Sequence, residues 1–284
     1  MSGAGSQSAA SASAAELVRE DDADPGVPAL HLIDAAHPDE PAGRGWPIRR
    51  GDLEVVLRIS VVIPCVDEAL NLPSVLSQMP SKVGEVILVD GWSTDGTVEI
   101  SRDIRPDVIV VQQDRTGKGD ALKAGFEMAT GDIIVMMDGD GSMSPREIEA
   151  MVNALVAGAD VVKGSRNLDG GHSADLTRTR DLGNRALSVL FNAIYDADHT
   201  DLCYGYMAFW RRHLWALSPS VSGFEVETFL NVRASRAGLK VVEVASKEGR
   251  RLYGNSNLHP IRDGLRIVRT MFRERIAPRP VLAE

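Results

Sequence analysis

Asp132-Ile133-Ile134-Val135-Met136-Met137-Asp138-Gly139-Asp140 runs through five apolar residues and stops on two carboxylates one residue apart. A short unbroken apolar run suits a strand buried on both faces of a parallel sheet. Four other segments have the same character: Ile59–Ile63, Glu85–Asp90, Val108–Val111 and Asp160–Lys163. Helix-like stretches separate them, at about Glu68–Met79, Thr97–Asp103, Lys118–Ala129 and Pro145–Ala157. Before the last, Ser144 resembles an N-cap, with Pro145 at the first helical position and Glu147 in an acidic first turn. Strands alternating with helices imply βαβ units. The expected fold class is α/β, a doubly wound, mostly parallel sheet with helices on both faces.

The rhythm changes after Gly164. Thr177–Tyr195 reads as a helix with Leu182, Ala186, Val189, Leu190 and Ile194 on one stripe. Leu202–Trp210 is strand-like, Phe224–Ala237 helical and Leu239–Val244 strand-like. This half reads as an acceptor-side elaboration of the same domain. Residues 1–28, rich in Ala, Ser, Gly and Asp, bury too little apolar area to offset their ordering entropy and read as a disordered tail. Residues 29–57, broken by Pro38, Pro41, Gly43, Gly45 and Pro47, read as an irregular lead-in.

The chain has 284 residues, 44% hydrophobic and 25% charged, with two cysteines. That composition excludes a disulfide framework and a four-cysteine zinc site and fits a reducing compartment. The net charge of −9 argues against general nucleic-acid binding. Residues 1–45 carry eight acids and two bases; residues 245–284 carry nine bases and four acids. No apolar run reaches the roughly 18–20 residues that span a bilayer, and the N-terminus lacks the basic start and apolar stretch of a secretory signal. The expected setting is cytoplasmic, or at most peripheral at the cytoplasmic membrane face.

Asp138 and Asp140 fall at the C-terminal end of a parallel strand, where α/β sheets bind ligands. Pro64-Cys65-Val66-Asp67-Glu68 ends the first strand of the series and Asp90-Gly91-Trp92-Ser93-Thr94-Asp95 the second. Three strands thus bring carboxylates to one sheet edge, where they repel unless a cation or hydrogen-bond donors sit among them. A divalent metal, Mg²⁺ or Mn²⁺, bridging carboxylates to a nucleotide's phosphates meets that need. A polar turn capped by Asp is the plainer reading of Asp-Gly taken alone. Thr116-Gly117-Lys118-Gly119-Asp120 matches neither a P-loop nor GxGxxG. Its glycines read as a tight turn opening a helix, whose N-terminal amides favour an anion and whose Lys118 reaches a phosphate. Trp92, Tyr204, Tyr206, Phe209 and Trp210 are candidates to line a sugar or acceptor site, with core packing the plainer use of the last two. Cys65 and Cys203 read as small buried fillers.

VVIPCVDE (Val61–Glu68), ILVDGWSTDGT (Ile87–Thr97) and DGD (Asp138–Asp140) resemble inverting glycosyltransferase family 2, with its single-domain GT-A fold, over about Ile59 to Met271. The later part is similar to the polyprenyl- or dolichyl-phosphate sugar synthase branch. The residues carrying this are Gly164-Ser165-Arg166-Asn167, Arg180, Thr200-Asp201 before Gly205, Gly223-Phe224-Glu225-Val226-Glu227, and Arg251-Leu252-Tyr253-Gly254-Asn255-Ser256-Asn257-Leu258. The resemblance implies a glycosyltransferase domain over 58–258, with a nucleotide-sugar half (58–164) and an acceptor half (165–258). It implies that Pro64, Glu68 and Asp90 hold the nucleotide's base and ribose, with Lys118 near the nucleotide. Asp138 and Asp140 would be a DxD pair around the metal, Arg166 and Arg180 would hold an acceptor phosphate, and Asp201 would lie below the sugar. The chain departs from the pattern at Gly91, where many members have a second aspartate, and at Ser142, Met207 and Asn257, which stand for Gln, Arg and Lys.

The implied reaction moves a sugar from a nucleotide-diphosphate sugar with inversion. The acceptor decides whether a base is required. A phosphate monoester, with its second pKa at about 6, is already an anionic nucleophile and needs only positioning by Arg166 and Arg180. A hydroxyl needs a general base, for which Asp201 is the candidate, with Glu225 and Glu227 behind it. A sugar-1-phosphate nucleotidyltransferase would need a Gly-rich basic loop after the first strand, which is absent here; a non-catalytic nucleotide-sugar-binding protein would not need the DGD and the arginine pair. Residues 259–284 read as a basic amphipathic helix and tail, with Ile261, Leu265, Val268 and Phe272 on one stripe and Arg262, Arg266, Arg269 and Arg273 beside it. The favoured reading packs the apolar stripe on the domain and leaves the arginines in solvent; the alternative is a peripheral membrane contact through 259–276.

Overall fold

The computed structural model describes residues 30–32, 44–50, 53–254 and 259–280; the proposed tail 1–28 lies outside the described residues. Seven strands form the central sheet: β4 (Ile59–Cys65), β5 (Glu85–Asp90), β6 (Ile109–Gln112), β7 (Ile133–Met136), β8 (Val161–Ser165), β10 (Met207–Trp210) and β11 (Val241–Ala245). Their spatial order is β11-β8-β10-β7-β4-β5-β6. β10 runs antiparallel between β7 and β8, and every other pairing in the sheet is parallel.

Alternate residues of each strand point to opposite faces. Ile59, Val61 and Ile63 of β4 pack, with Leu88 and Val135, beneath α1 (Leu72–Ser77) and α4 (Ile148–Val156). Val62, Ile87 and Ile134 face the other way, onto α3 (Lys118–Met128) and α7 (Val226–Arg236), with α6 (Leu214–Leu217) alongside. Burial on both faces is the reason these strands carry no polar alternation. α2 (Thr97–Ile104) follows β5 and packs beside α1. Pro145–Glu147 is a 3₁₀ turn leading into α4; Ser144 has the extended backbone of an N-cap, but its side chain makes no capping bond.

The lead-in is not irregular throughout. β1 (Leu30–Leu32), β2 (Trp46–Arg50) and β3 (Leu53–Leu57) form an antiparallel sheet, with Trp46 opposite Leu57 and Ile48 opposite Val55. Trp46 and Ile48 point inward and join the core beside α1 and α4. Pro47 is tolerated because β1 pairs only with Ile48–Arg50, one residue beyond it.

Two helices bury faces the apolar pattern did not indicate. α5 (Arg178–Tyr195), capped by Thr177, buries Asn184, Ser188 and Phe191, while Leu182 and Val189 are exposed. α8 (Pro260–Ile276) buries Asp263, Ile267, Thr270, Met271 and Glu274. Its supposed core stripe points to solvent: Ile261 is 75% exposed, Leu265 67% and Phe272 52%. Polar partners on neighbouring elements explain the choice. Glu274 meets Arg233 of α7, and the Glu274 carbonyl accepts from Arg236. Ile267 and Met271 complete a cluster with Phe191, Leu202 and Val232. A two-strand ribbon, β9 (His172–Ser173) with β12 (Lys247–Glu248), closes the acceptor side.

Candidate active site

The carboxylates at the ends of β4, β5 and β7 converge. Burial pushes the Cys65 thiol well up, and the charges of Glu68, Asp90, Asp138 and Asp140 around it push further. Asp90 pairs with Cys65 across the sheet, Gly139 between Asp138 and Asp140 packs on Cys65 Sγ, and Arg251 joins Asp140 to Glu68, so the four acids gather at the sheet's C-terminal edge. Backbone geometry makes this possible: a Cβ on Gly139 would lie 2.6 Å from Cys65 Sγ, so only glycine lets the strand ends approach so closely. A side chain at Gly91 would collide with Val66, a steric reason for glycine where relatives of this pattern carry aspartate. Pro64 sits in β4 beside this point, its carbonyl 3.6 Å from the same Gly139 position.

The loops after β4 and β5 are cross-linked. Thr94 N–H donates to Asp67 (2.8 Å), Ala69 N–H to Asp95 (3.0 Å), and Glu68 N–H to Thr97 Oγ1 (2.9 Å). Asp90 accepts from the Gln112 amide at 3.0 Å and from Ser93 N–H at 3.3 Å. Trp92, at φ 66°, holds its indole N–H on the Gln113 carbonyl and leaves its ring in solvent.

Two cations of the chain balance the acids. Lys118 Nζ lies 2.6 Å from Asp138 and 2.7 Å from Glu227, which is on α7. Burial pulls Lys118 down, but those two carboxylates outweigh it and hold its pKa above the ordinary lysine value, so it is charged. Arg251 bridges Glu68 (2.8 Å) and Asp140 (3.1 Å). Asp140 also accepts from Ser142 N–H and Oγ. Among the described residues no group of three or more His, Cys, Asp or Glu side chains is placed to hold a metal unaided. Asp138 and Asp140 offer two hard oxygen donors, the number Mg²⁺ takes from protein when substrate phosphates and water complete its shell.

The glycine loop does something other than expected. Gly119 N–H donates to the Ser222 carbonyl at 2.8 Å, so this helix-opening amide is not free for an anion. Side chains at Gly117 and Gly119 would collide with the backbone of Ser222 and Val221. The glycines dock this loop on the Val221–Ser222 turn, and Lys118 turns its ammonium to Asp138 and Glu227.

Arg166 and Asp201 are brought together, but inside the protein. Arg166 grips Asp201 with Nε (2.7 Å) and Nη2 (2.9 Å), reaches Glu248 with Nη1 (3.1 Å) and lies over the Tyr204 ring. Asp201, fully buried, also accepts from the Asn184 amide (2.9 Å) and from Arg166 N–H (3.1 Å). Burial raises the Asp201 carboxyl, but the Arg166 hydrogen bonds and the Lys163 and Arg166 charges prevail and hold it below the usual carboxylate range. Such a group is a poor base, and Arg166 has no donor fork left for a phosphate. In this structure Asp201 and Arg166 are each other's partners, an arrangement that disfavours a free base at 201 and a free phosphate fork at 166. Arg180 lies apart, in the first turn of α5, in a half-exposed pair with Asp175 at 3.3 Å.

Tyr204, Tyr206, Phe209 and Trp210 are buried, with Tyr206 O–H on the Ser144 carbonyl and Trp210 N–H on the Ala159 carbonyl. Met207 is core, and Asn257 lies outside the described residues. Cys65 is buried and Cys203 partly so; both are free thiols. Arg251, Glu248, Asn184 and Lys163 were not singled out as site residues from sequence. Arg251 carried a signal, as the head of the Arg251–Leu258 motif, and so did Lys163, a lysine ending an otherwise apolar strand; Lys163 is fully buried and donates to the Asp201 and Tyr204 carbonyls.

Residues 60–218 match the glycosyl transferase family 2 model. Glycosyltransferase AglJ of Haloferax volcanii is 32% identical over 218 residues, covering 76% of this chain and 71% of that protein. The undecaprenyl-phosphate mannosyltransferase of Micrococcus luteus is 30% identical over 215 residues, covering 71% and 88%. Glucosyl-3-phosphoglycerate synthase from Mycobacterium tuberculosis, solved with Mn²⁺, UDP-glucose and phosphoglyceric acid, superposes with a TM-score of 0.63 at 26% identity, covering 78% of this chain and 81% of that one. With the parallel sheet, the converging acids and these matches together, the chain belongs to glycosyl transferase family 2 and is a glycosyltransferase of GT-A fold.

Proposed function

We propose that this glycosyltransferase moves a sugar from a nucleotide-diphosphate sugar to a phosphate acceptor of the polyprenyl-phosphate type, with inversion and with Mg²⁺ or Mn²⁺ as cofactor. The observation that carries the choice of acceptor is the state of Asp201. A hydroxyl acceptor needs a base, and the carboxylate at that position is buried, four times hydrogen-bonded and depressed in pKa. A phosphate acceptor is already anionic and needs none. The Micrococcus relative, named for an undecaprenyl-phosphate acceptor, supports the same reading.

In this reading Asp138 and Asp140 form the DxD pair that holds the metal on the donor diphosphate. When bound, the metal neutralises charge developing on the leaving diphosphate, a contribution of several kcal/mol. Lys118, charged and 2.6 Å from Asp138, turns toward the diphosphate and adds a preorganised positive charge. Arg251 gives up Asp140 and keeps Glu68 in place. Pro64, Glu68 and Asp90 frame the nucleoside. Arg180 exchanges its exposed partner Asp175 for the acceptor phosphate. Arg166 and Asp201 keep the floor of the acceptor half rigid. A lipid-borne acceptor brings the protein to the cytoplasmic membrane face, where residues 259–276 make the peripheral contact.

The test is a transfer assay with purified chain, a panel of nucleotide sugars, and a short-chain prenyl phosphate against free-sugar acceptors, with and without chelator. The expected product is a prenyl-phosphate sugar formed only with divalent metal. Transfer to a hydroxyl and none to the phosphate overturns the reading.

A further inference from the structure

Resting on the lipid-phosphate reading, we infer that the outward face of α8 is a docking surface for an anionic phospholipid bilayer, and that it sets the active site at headgroup level. α8 is 17 residues long, about 25 Å of helix. At about 100° per residue, Ile261, Leu265, Val268, Phe272 and Ile276 centre roughly 145° from the buried row Asp263, Ile267, Met271 and Glu274. The apolar stripe therefore points almost directly away from the protein. Ile276 is 86% exposed, and with Ile261, Leu265 and Phe272 also exposed and only Val268 half-buried, the stripe is the reverse of what packing on a core produces. The buried row is accounted for by its partners inside the domain, whereas the outward apolar row has none there and gains only from an apolar phase outside it.

Charge selects the occupant. Arg262, Arg266, Arg269 and Arg273 run in a row about 90° round from the stripe, and Arg275 borders its other side. Arg262, Arg266 and Arg273 touch Asp263 or Glu274 with one edge while their side chains stay about half or more exposed. An apolar band flanked by arginines matches acyl chains beneath anionic headgroups. Position ties the face to the chemistry. Arg266 Nη1 lies 3.2 Å from where a Gly223 side chain would begin, and the neighbouring Ser222 carbonyl holds Gly119, next to Lys118. The first half of α8 thus stands against the turn that joins the donor loop to the acceptor half, so a bilayer on its outer face would bring a lipid-borne phosphate alongside the site.

Vesicle co-sedimentation of the full chain tests this, with mixed phosphatidylglycerol–phosphatidylcholine vesicles against phosphatidylcholine alone. The wild type should bind the mixed vesicles preferentially and weaken with salt. Leu265→Asp and Phe272→Asp, on exposed positions that leave the fold intact, should each reduce binding by roughly tenfold or more. Arg269→Ala should reduce it roughly fivefold, and only for anionic vesicles. Absence of wild-type binding, indifference to Leu265→Asp and Phe272→Asp, or equal binding to both vesicle types overturns the proposal. So does a wild-type dimer that Phe272→Asp dissociates, which would make the face a contact between copies. Transfer to a soluble short-chain prenyl phosphate separates this from the acceptor reading. Docking fails alone if transfer is intact and vesicles are ignored. The acceptor reading fails alone if vesicles are bound as expected and no lipid phosphate is used.

Discussion

The molecule holds two clusters of paired charges built from the same chemistry and differing in how they are closed. At the sheet edge, Lys118 spans Asp138 and Glu227, and Arg251 spans Glu68 and Asp140. Each cation there bridges two acids from different elements, and Asp138 is open to solvent. In the acceptor half, Arg166, Asp201, Glu248 and Asn184 saturate one another out of reach of water. An open cluster can exchange partners with an incoming diphosphate at little cost. A closed one cannot, because removing either member leaves the other charge buried and unpaired. In the proposed reading the first cluster binds and the second holds shape.

Substitutions on the two sides should separate these roles. Asp140→Ala should produce the largest effect on turnover, a loss on the order of a thousandfold if several kcal/mol of charge stabilisation disappear, with melting little changed. Retained turnover would break the comparison on the open side. Asp201→Asn should act mainly on stability, lowering the free energy of unfolding by about 3 kcal/mol because buried Arg166 loses its bidentate carboxylate and keeps only Glu248. If instead it cuts turnover severely, leaves melting untouched and removes the acidic limb from the pH–rate profile of the residual activity, Asp201 is a base after all.

Acid titration sharpens the same point. The Asp201 carboxyl lies below its unfolded value, so its contribution is complete above about pH 4 and disappears as pH falls through the lower folded value. The wild type should lose stability on acidification below about pH 4, and Asp201→Asn should flatten that part of the curve. Arg180→Ala should raise the acceptor KM by about tenfold while leaving the donor KM alone, the size of one charge-assisted contact. An unchanged acceptor KM would remove Arg180 from the phosphate site. The smallest effect should come from Leu182→Ala, within about 0.5 kcal/mol in chemical denaturation, since its side chain is exposed. A larger loss would show that Leu182 is packed after all.

The halves also differ in how much could be read beforehand. β4, β5 and β7 were legible because a strand covered on both faces must be apolar throughout, and the acids that follow must lie at its C-terminal end. Helix faces in the acceptor half were not. α5 turns Asn184 and Ser188 inward because Asp201 and the Leu202 and Cys203 amides wait for them. α8 turns Glu274 inward toward Arg233. Those partners lie up to 41 residues away in sequence, and periodicity sees only neighbours along one helix. The β2–β3 hairpin was missed for a related reason: Gly45 and Pro47 looked like breakers, whereas Trp46 and Ile48 are anchored by α1 and α4 from far along the chain.

Sequence by itself determined the family, the α/β order of elements and the sheet edge at which Glu68, Asp90, Asp138 and Asp140 gather, because local apolar runs and short motifs carry that information. Tertiary structure alone decided which charged groups are free. Arg166 and Arg180 look equivalent in the chain, yet one is clasped by Asp201 and Glu248 and the other stands at the surface beside Asp175. The basic stretch after residue 259 likewise became informative only once α8 was seen to bury its polar row and present its apolar one. Burial and pairing are properties of neighbours in space, and in this protein they separate the charged groups that are locked inside from those that border solvent.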